Sequence, residues 1–161
     1  MTIPAFVVTP AIQEILETMY FMSPEYCGEG PAIPDSYIMG VEFSGPISGR
    51  FTISVGRPLA RRMAADFLAE DVDAVEPAIV ESTISELANI ACGAALAAWN
   101  PDQDFVFSVP FRLEASDTLD HQYSVFGPGP EMSVGLDVRE REPTRPAEAG
   151  GIQELSSLPR A

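Results

Sequence analysis

The chain has 161 residues, 46% of them hydrophobic, which is enough for one domain of ordinary size to bury a core without disulfides or metal. Nine arginines, no lysine and 24 acidic residues give a formal charge of -15. That charge repels phosphate backbones and anionic headgroups, and so excludes nucleic acid and membrane surfaces as expected partners. The N-terminus lacks a basic region and a small-residue cleavage site after a long apolar core, so no secretory signal is read and a cytoplasmic location is expected. Cys27 and Cys92 belong to no CxxC or Cys/His cluster and read as plain thiols of a reducing compartment.

Thr9 and Pro10 read as an N-cap and first helical position, and Ile12, Ile15, Leu16 and Met19 then repeat at helical spacing. This first helix is expected to run to about Met22. Ser23 to Pro34, with three prolines and two glycines, reads as a loop. From Tyr37 the pattern alternates: Tyr37, Met39, Val41 and Phe43 point one way and Ile38, Gly40, Glu42 and Ser44 the other, a half-buried strand. Ser44, Gly45 and Pro46 turn the chain into a second strand carrying Phe51, Ile53 and Val55, its expected hairpin partner. Pro58 opens a second helix with Leu59, Met63, Phe67 and Leu68 as its apolar stripe, and the acidic residues Glu70, Asp71 and Asp73 mark a linker.

Pro77 suits the first turn of a third helix that extends to Trp99 and is ended by Asn100, Pro101 and Asp102. Its weakly polar run, Leu87 to Trp99, is too short to span a bilayer and reads as a buried helix. Phe105 to Leu113 alternates as a third strand in which Pro110, lacking an N–H, must sit at an edge, a bulge or an end. Tyr123 and Val125 suggest a fourth strand, and Met132, Val134, Leu136 and Val138 a fifth, separated by a Gly127 to Pro130 turn. The expected fold is α+β: a single domain in which an antiparallel β-sheet packs with long α-helices. Two helix-strand-strand halves make it pseudo-duplicated. The domain is expected to span residues 1–139, with 140–161 as a disordered C-terminal tail rich in Pro, Glu, Gly, Ala and Arg.

In the third helix, Ser82, Glu86, Asn89 and Gly93 fall within an arc of about 60° at roughly 100° per residue. They form one polar lane, while Val80, Ile84, Leu87, Ala91, Ala94, Ala95 and Ala98 lie on the other side to hold the helix. Asn is a mediocre helix former among alanines here, and Gly93 costs about 1 kcal/mol relative to Ala while clearing the surface for close approach. Aligning the first helix on the third sets Pro10, Glu14 and Glu17 against Ser82, Glu86 and Asn89, so the first copy has a carboxylate where the second has the amide.

Nothing else competes for chemistry. His121 is the only histidine, which excludes a multi-histidine metal centre. The acidic run from Glu70 to Glu76 lacks the ligand alternation and glycine of a calcium loop, and neither a phosphate-binding glycine loop nor a nucleophile motif is present.

The pattern Ser82-x-x-x-Glu86-x-x-Asn89-x-x-x-Gly93, followed about twenty residues later by Ser108-Val109-Pro110, resembles the signature helix of the CheC/CheX/FliY family of chemotaxis phosphatases. The hairpin from Gly40 to Gly45 and Gly49 to Val55, with the Ala-rich helix after it, is similar to the corresponding part of that family. The likeness runs from about Pro10 to Val138. It is nearest to the CheX branch, which carries one such motif where the CheC branch carries two.

The resemblance implies a phosphatase for the phospho-aspartate of a response-regulator receiver domain such as that of CheY. Asn89 would orient the attacking water, Glu86 would pair with the regulator's lysine, and Ser82 and Gly93 would lie at the docking surface. It implies no cofactor of the chain's own, with Mg²⁺ carried by the regulator, and it implies a homodimer. The alternative is a non-catalytic CheX-like module that binds a receiver domain or a flagellar or chemotaxis component. A purely structural α+β domain would leave the lane unexplained.

Overall fold

The computed structural model of the chain describes residues 5–118, 123–127 and 131–139. In its sheet, β2 (Ser36–Ser44) and β3 (Ser48–Gly56) pair antiparallel, with Tyr37 opposite Val55, Met39 opposite Ile53 and Val41 opposite Phe51. Alternation sends these six side chains to one face, and all six are buried. β7 (Met132–Arg139) flanks β3 antiparallel and sets Leu136 and Val134 opposite Phe51 and Ile53 on that same face. β6 (Tyr123–Gly127) pairs with β7, and β1 (Glu25–Gly30) closes that edge on β6. At the other edge β4 (Val106–Phe107) and β5 (Phe111–Arg112) both pair with β2, so the described strands form a seven-stranded antiparallel sheet.

The helices α1 (Ala5–Tyr20), α2 (Arg57–Leu68) and α3 (Pro77–Trp99) close over the apolar face in one continuous core that includes Ile12, Leu16, Met63, Ile84, Leu87, Phe51, Ile53 and Leu136. This is the α+β single domain expected from the hydrophobic pattern. The duplication is present in space. β3 and β7 lie side by side at the centre, β2 and β6 outside them, and β1 and the β4–β5 edge outermost. By length and composition α3 could cross a membrane, but half of its apolar window is packed inside the protein, where Val80, Ile84, Leu87, Ala91, Ala95 and Leu96 are buried.

Several expectations are corrected. The first helix does not start at Thr9 and Pro10, because it is already helical at Ala5 and Pro10 lies inside it. Pro10 cannot donate a hydrogen bond to the preceding turn, in which Val8 is buried in the core. The stretch read as a loop contains β1, too short and too exposed to show a period. It is held by ladder bonds to β6 and by Tyr26 against the Phe126 ring at 5.9 Å, with a bulge between Tyr26 and Glu29 where Gly28 takes φ +99°.

The single third strand is divided. β4 and β5 pair with β2 in registers one residue apart, and Ser108, Val109 and Pro110 bulge between them, so Pro110 stands at both an edge and a bulge. Ser108 repairs the interruption: its N–H donates to the Glu42 carbonyl at 2.8 Å, and its hydroxyl accepts from the Glu42 N–H at 2.9 Å.

In α2, Leu59 and Met63 are buried with Ala60, Ala64 and Ala65, whereas Phe67 and Leu68 are 49% and 42% exposed. Small side chains let α2 lie close against the core, and the last turn overhangs it. The second face of β2 is not left to water either: Ile38 is buried, and a methyl group at Gly40 would meet Leu113 and Phe111. His121, Pro128 to Pro130, the C-terminal tail and its boundary at residue 140 lie outside the described residues.

Candidate functional site

α3 is a 23-residue helix with Pro77 in its first turn, and it ends at Asn100, whose N–H donates to the Leu96 carbonyl at 2.8 Å. Val80, Thr83, Ile84, Leu87, Ala88, Ala91, Cys92, Ala95 and Leu96 form its buried side. Of the residues expected on the apolar side, Ala94 is half-buried and Ala98 is exposed. Alanine at three of the buried positions allows α1 and the sheet to approach closely. The helix is therefore gripped along its back, which fixes the direction of everything on its outer side.

Ser82, Glu86 and Asn89 are exposed on that outer side, and Gly93 is half-buried in line with them. Neither the Glu86 carboxylate nor the Asn89 amide makes a hydrogen bond or ion pair with a described residue. A Cβ placed on Gly93 would meet nothing within 4 Å, so the chain's own packing gives no reason for glycine there. Among the described residues, two cavities lie away from the lane. One of about 260 Å³ beneath the end of α1 is lined by Leu16, Met22, Leu59, Phe126 and Met132 with Arg62 and Glu131, and another of about 460 Å³ lies beside Arg57, Arg61 and Tyr37. The lane is an exposed helix surface, and none of its four residues lines either cavity. Among the described residues no three His, Cys, Asp or Glu side chains come together as metal ligands.

Two features of the surroundings bear on the lane. Tyr20, buried at the end of α1, has its phenol pushed up to about 12 by burial and then by the negative charge of Glu86. Cys92, on the buried side, is pushed up to about 12 by burial, which keeps its thiol protonated and unreactive.

The first helix repeats the third in detail. One constant shift along the sequence carries Val8 onto Val80, Ile12 onto Ile84, Ile15 onto Leu87, Leu16 onto Ala88 and Tyr20 onto Cys92, and all ten are buried. The same shift carries Pro10, Glu14 and Glu17 onto Ser82, Glu86 and Asn89, all exposed. It also sets Phe21 against Gly93. Phe21 is 90% exposed and takes φ +54°, closing α1 with a bond from the Met22 N–H to the Leu16 carbonyl at 3.0 Å. Left-handed backbone in a residue with a Cβ costs about 1 kcal/mol, and glycine is the usual occupant of such a helix end. The first lane thus differs from the second at three positions, by a proline for Ser82, by a carboxylate for the amide and by an aromatic ring where the second is bare. Residue-by-residue reading passes over Phe21, whose one sequence signal is that it aligns with Gly93.

A family model described as chemotaxis phosphatase CheX matches residues 37–124, more than half of the chain. No curated protein matches the sequence. Among solved structures, the fold is similar to that of a chain in the CheX-CheY-BeF3-Mg²⁺ complex from Borrelia burgdorferi, with 17% identity, a TM-score of 0.68, and 84% of this chain and 97% of that one covered. It is similar also to the chemotaxis protein CheX from Desulfovibrio desulfuricans, at 17% identity, TM-score 0.62 and coverage of 84% and 98%. A third likeness is to a CheC-like superfamily protein from Shewanella sp. PV-4, at 14% identity, TM-score 0.64 and coverage of 84% and 96%. At such identities these are likenesses of fold.

Proposed function

The chain belongs to the CheX family of chemotaxis phosphatases, and on that premise we propose that it hydrolyses the aspartyl phosphate of a response-regulator receiver domain, with Asn89 and Glu86 carrying the reaction. The observation behind this reading is the pair itself. The two side chains stand one helical turn apart on a rigidly held helix, exposed, bonded to no described residue, and next to open space at Gly93. The solved CheX-CheY complex of similar fold supports a receiver domain as the partner.

The receiver domain brings the acyl phosphate, a magnesium ion and a lysine, and this chain needs no cofactor of its own. Asn89 enters the partner's cleft and orients a water in line with the scissile P–O bond. The water oxygen bonds to phosphorus as the bond to the aspartyl oxygen breaks, releasing inorganic phosphate and the regulator's free carboxylate. A loose phosphoryl-transfer transition state asks for positioning more than for a strong base, and an amide positions water without adding negative charge beside phosphate. A carboxylate at that place, as at Glu17, would be repelled. Glu86 pairs with the partner's lysine and sets the register, while Ser82 and Gly93 let the helix approach.

Asn89→Ala is expected to lower the accelerated decay of a phosphorylated receiver domain by about a hundredfold or more while leaving the melting temperature unchanged. An Asn89→Ala protein as active as wild type would end this reading. Substoichiometric protein clearing several equivalents of phosphorylated regulator separates turnover from mere sequestration. We place the reaction in the cytosol and on a homodimer joined along the β4–β5 edge, where Val106 and Val109 are 71% and 83% exposed.

A further inference from the structure

The cleft of about 460 Å³ beside the start of α2 has a polar arrangement that the lane makes no use of. Its volume lies in the ordinary range for a small-molecule pocket. Tyr37, Val75 and Val80 line it and are buried, and Pro58 and Pro77, from the first turns of α2 and α3, border it as well. Three polar groups meet these apolar walls. Tyr37 is only 8% exposed, and its hydroxyl bonds to no described residue. Such a group calls for a partner from outside the chain. Arg57 lies over the Tyr37 ring with its guanidinium carbon 4.9 Å from the centroid, and its Nε–H donates to Asp35 Oδ1 at 2.8 Å. That bond fixes the guanidinium and leaves both Nη groups without a described partner. Arg61, one turn further along α2, gives one Nη group to the Val72 carbonyl at 3.2 Å and keeps the rest of its fork free.

The charge around the cleft narrows the ligand. Against the two arginines stand Asp35, paired with Arg57, and Asp73, 3.9 Å from Arg61 and fully exposed. Asp66, Glu70, Asp71 and Glu76 of α2 and the linker are exposed and do not line the cleft. The positive ends of two helices add to the arginines, yet the balance is close to even in a chain of charge -15. A polyanion such as a nucleoside triphosphate finds too little positive charge there. One carboxylate matches a planar guanidinium fork, and the buried apolar walls call for an apolar body. We propose that this cleft binds a small monocarboxylate with an aromatic or branched apolar body. Arg61 and the free edge of Arg57 hold the carboxylate, the Tyr37 hydroxyl donates to it, and the body lies against Val75, Pro77 and Val80. Binding there does not depend on the reading of the lane.

The test titrates the full chain with 2-naphthoate by isothermal calorimetry, beside 2-naphthamide, which has the shape without the charge, and inorganic phosphate, which has charge without the body. The naphthoate should bind with a Kd of about 0.1 to 1 mM, at least about tenfold more tightly than the amide. Arg61→Gln is the sharpest variant, because Arg61 lines this cleft alone whereas Arg57 also borders a neighbouring one. It should weaken naphthoate about tenfold, and Tyr37→Phe, which keeps the ring, about threefold, both with the melting temperature unchanged. Arg62→Gln, next in sequence but lining the cavity with Glu131, should change binding less than about twofold. No naphthoate binding at millimolar concentration, an amide held as tightly as the acid, or equal losses in Arg61→Gln and Arg62→Gln overturns the site. Displacement of naphthoate by an equal concentration of phosphate makes the cleft host to an adventitious ion only and overturns the carboxylate assignment.

Discussion

At the scale of single residues, Gly93 is what the proposal that the outer side of α3 meets another molecule turns on. Mid-helix glycine costs about 1 kcal/mol relative to alanine, and the space above it is empty. Gly93→Ala is accordingly expected to raise stability by about that amount in denaturant titration, a gain the chain forgoes. Gly93→Phe, which copies the side chain found at Phe21, should keep the fold and abolish regulator dephosphorylation by blocking approach of the partner. Full activity in Gly93→Phe would remove the clearance role. The contrast with Glu17 is of another kind, since a carboxylate there presents charge where the third helix presents a neutral amide.

At the scale of elements, the homodimer proposed above predicts a contact along the β4–β5 edge. The edge pairs with β2 at Phe107, Val106, Arg112 and Phe111, is tied to it also by the Ser108 and Leu113 N–H groups, and leaves Val109 exposed in the bulge, where the Ser108 hydroxyl completes the bonding of Glu42. An exposed apolar edge of this sort invites strand addition. Val109→Lys should convert a dimer to a monomer in sedimentation velocity without lowering the melting temperature, because the side chain touches little of its own chain. A wild-type monomer, or a dimer indifferent to the lysine, places the contact elsewhere. The elements also differ in how well the sequence announces them. β2, β3, β7 and α3 bury long periodic runs and are readable from alternation or helical spacing. β1 buries almost nothing and is defined by its neighbour's backbone, so no pattern of side chains reveals it.

At the scale of the whole molecule, burial of weak acids sets an alkaline limit. Cys92 is pushed up to about 12 from 9.0 by burial, Tyr20 to about 12 from 10.0 by burial and then Glu86, and Tyr123 to about 12 from 10.0 by burial and then Asp137. Each binds its proton more tightly in the folded chain than in the unfolded one. Their contribution to stability is therefore whole below about pH 9 and is lost as pH rises through the interval from 9 to 12. Melting temperatures measured across that range should fall steadily, and Cys92→Ala should delay the onset. A profile flat to pH 12 would contradict the burial of these groups.

From residue types and spacing alone came the α+β class, the central hairpin, the third helix with its polar lane, the repeat of that helix in the first and the resemblance that the CheX family match bears out. The elements and the lane rest on local periodicity, which one chain segment carries by itself, and the resemblance rests on the motif from Ser82 to Gly93. The start of α1 upstream of Pro10, the pairing of β1, the bulge at Ser108 to Pro110 and the exposure of Phe21, Phe67 and Leu68 were decided only in three dimensions. Each depends on what a distant segment covers or leaves uncovered. An apolar residue at helical spacing can sit in the core or on the rim of a binding face, and only packing separates the two.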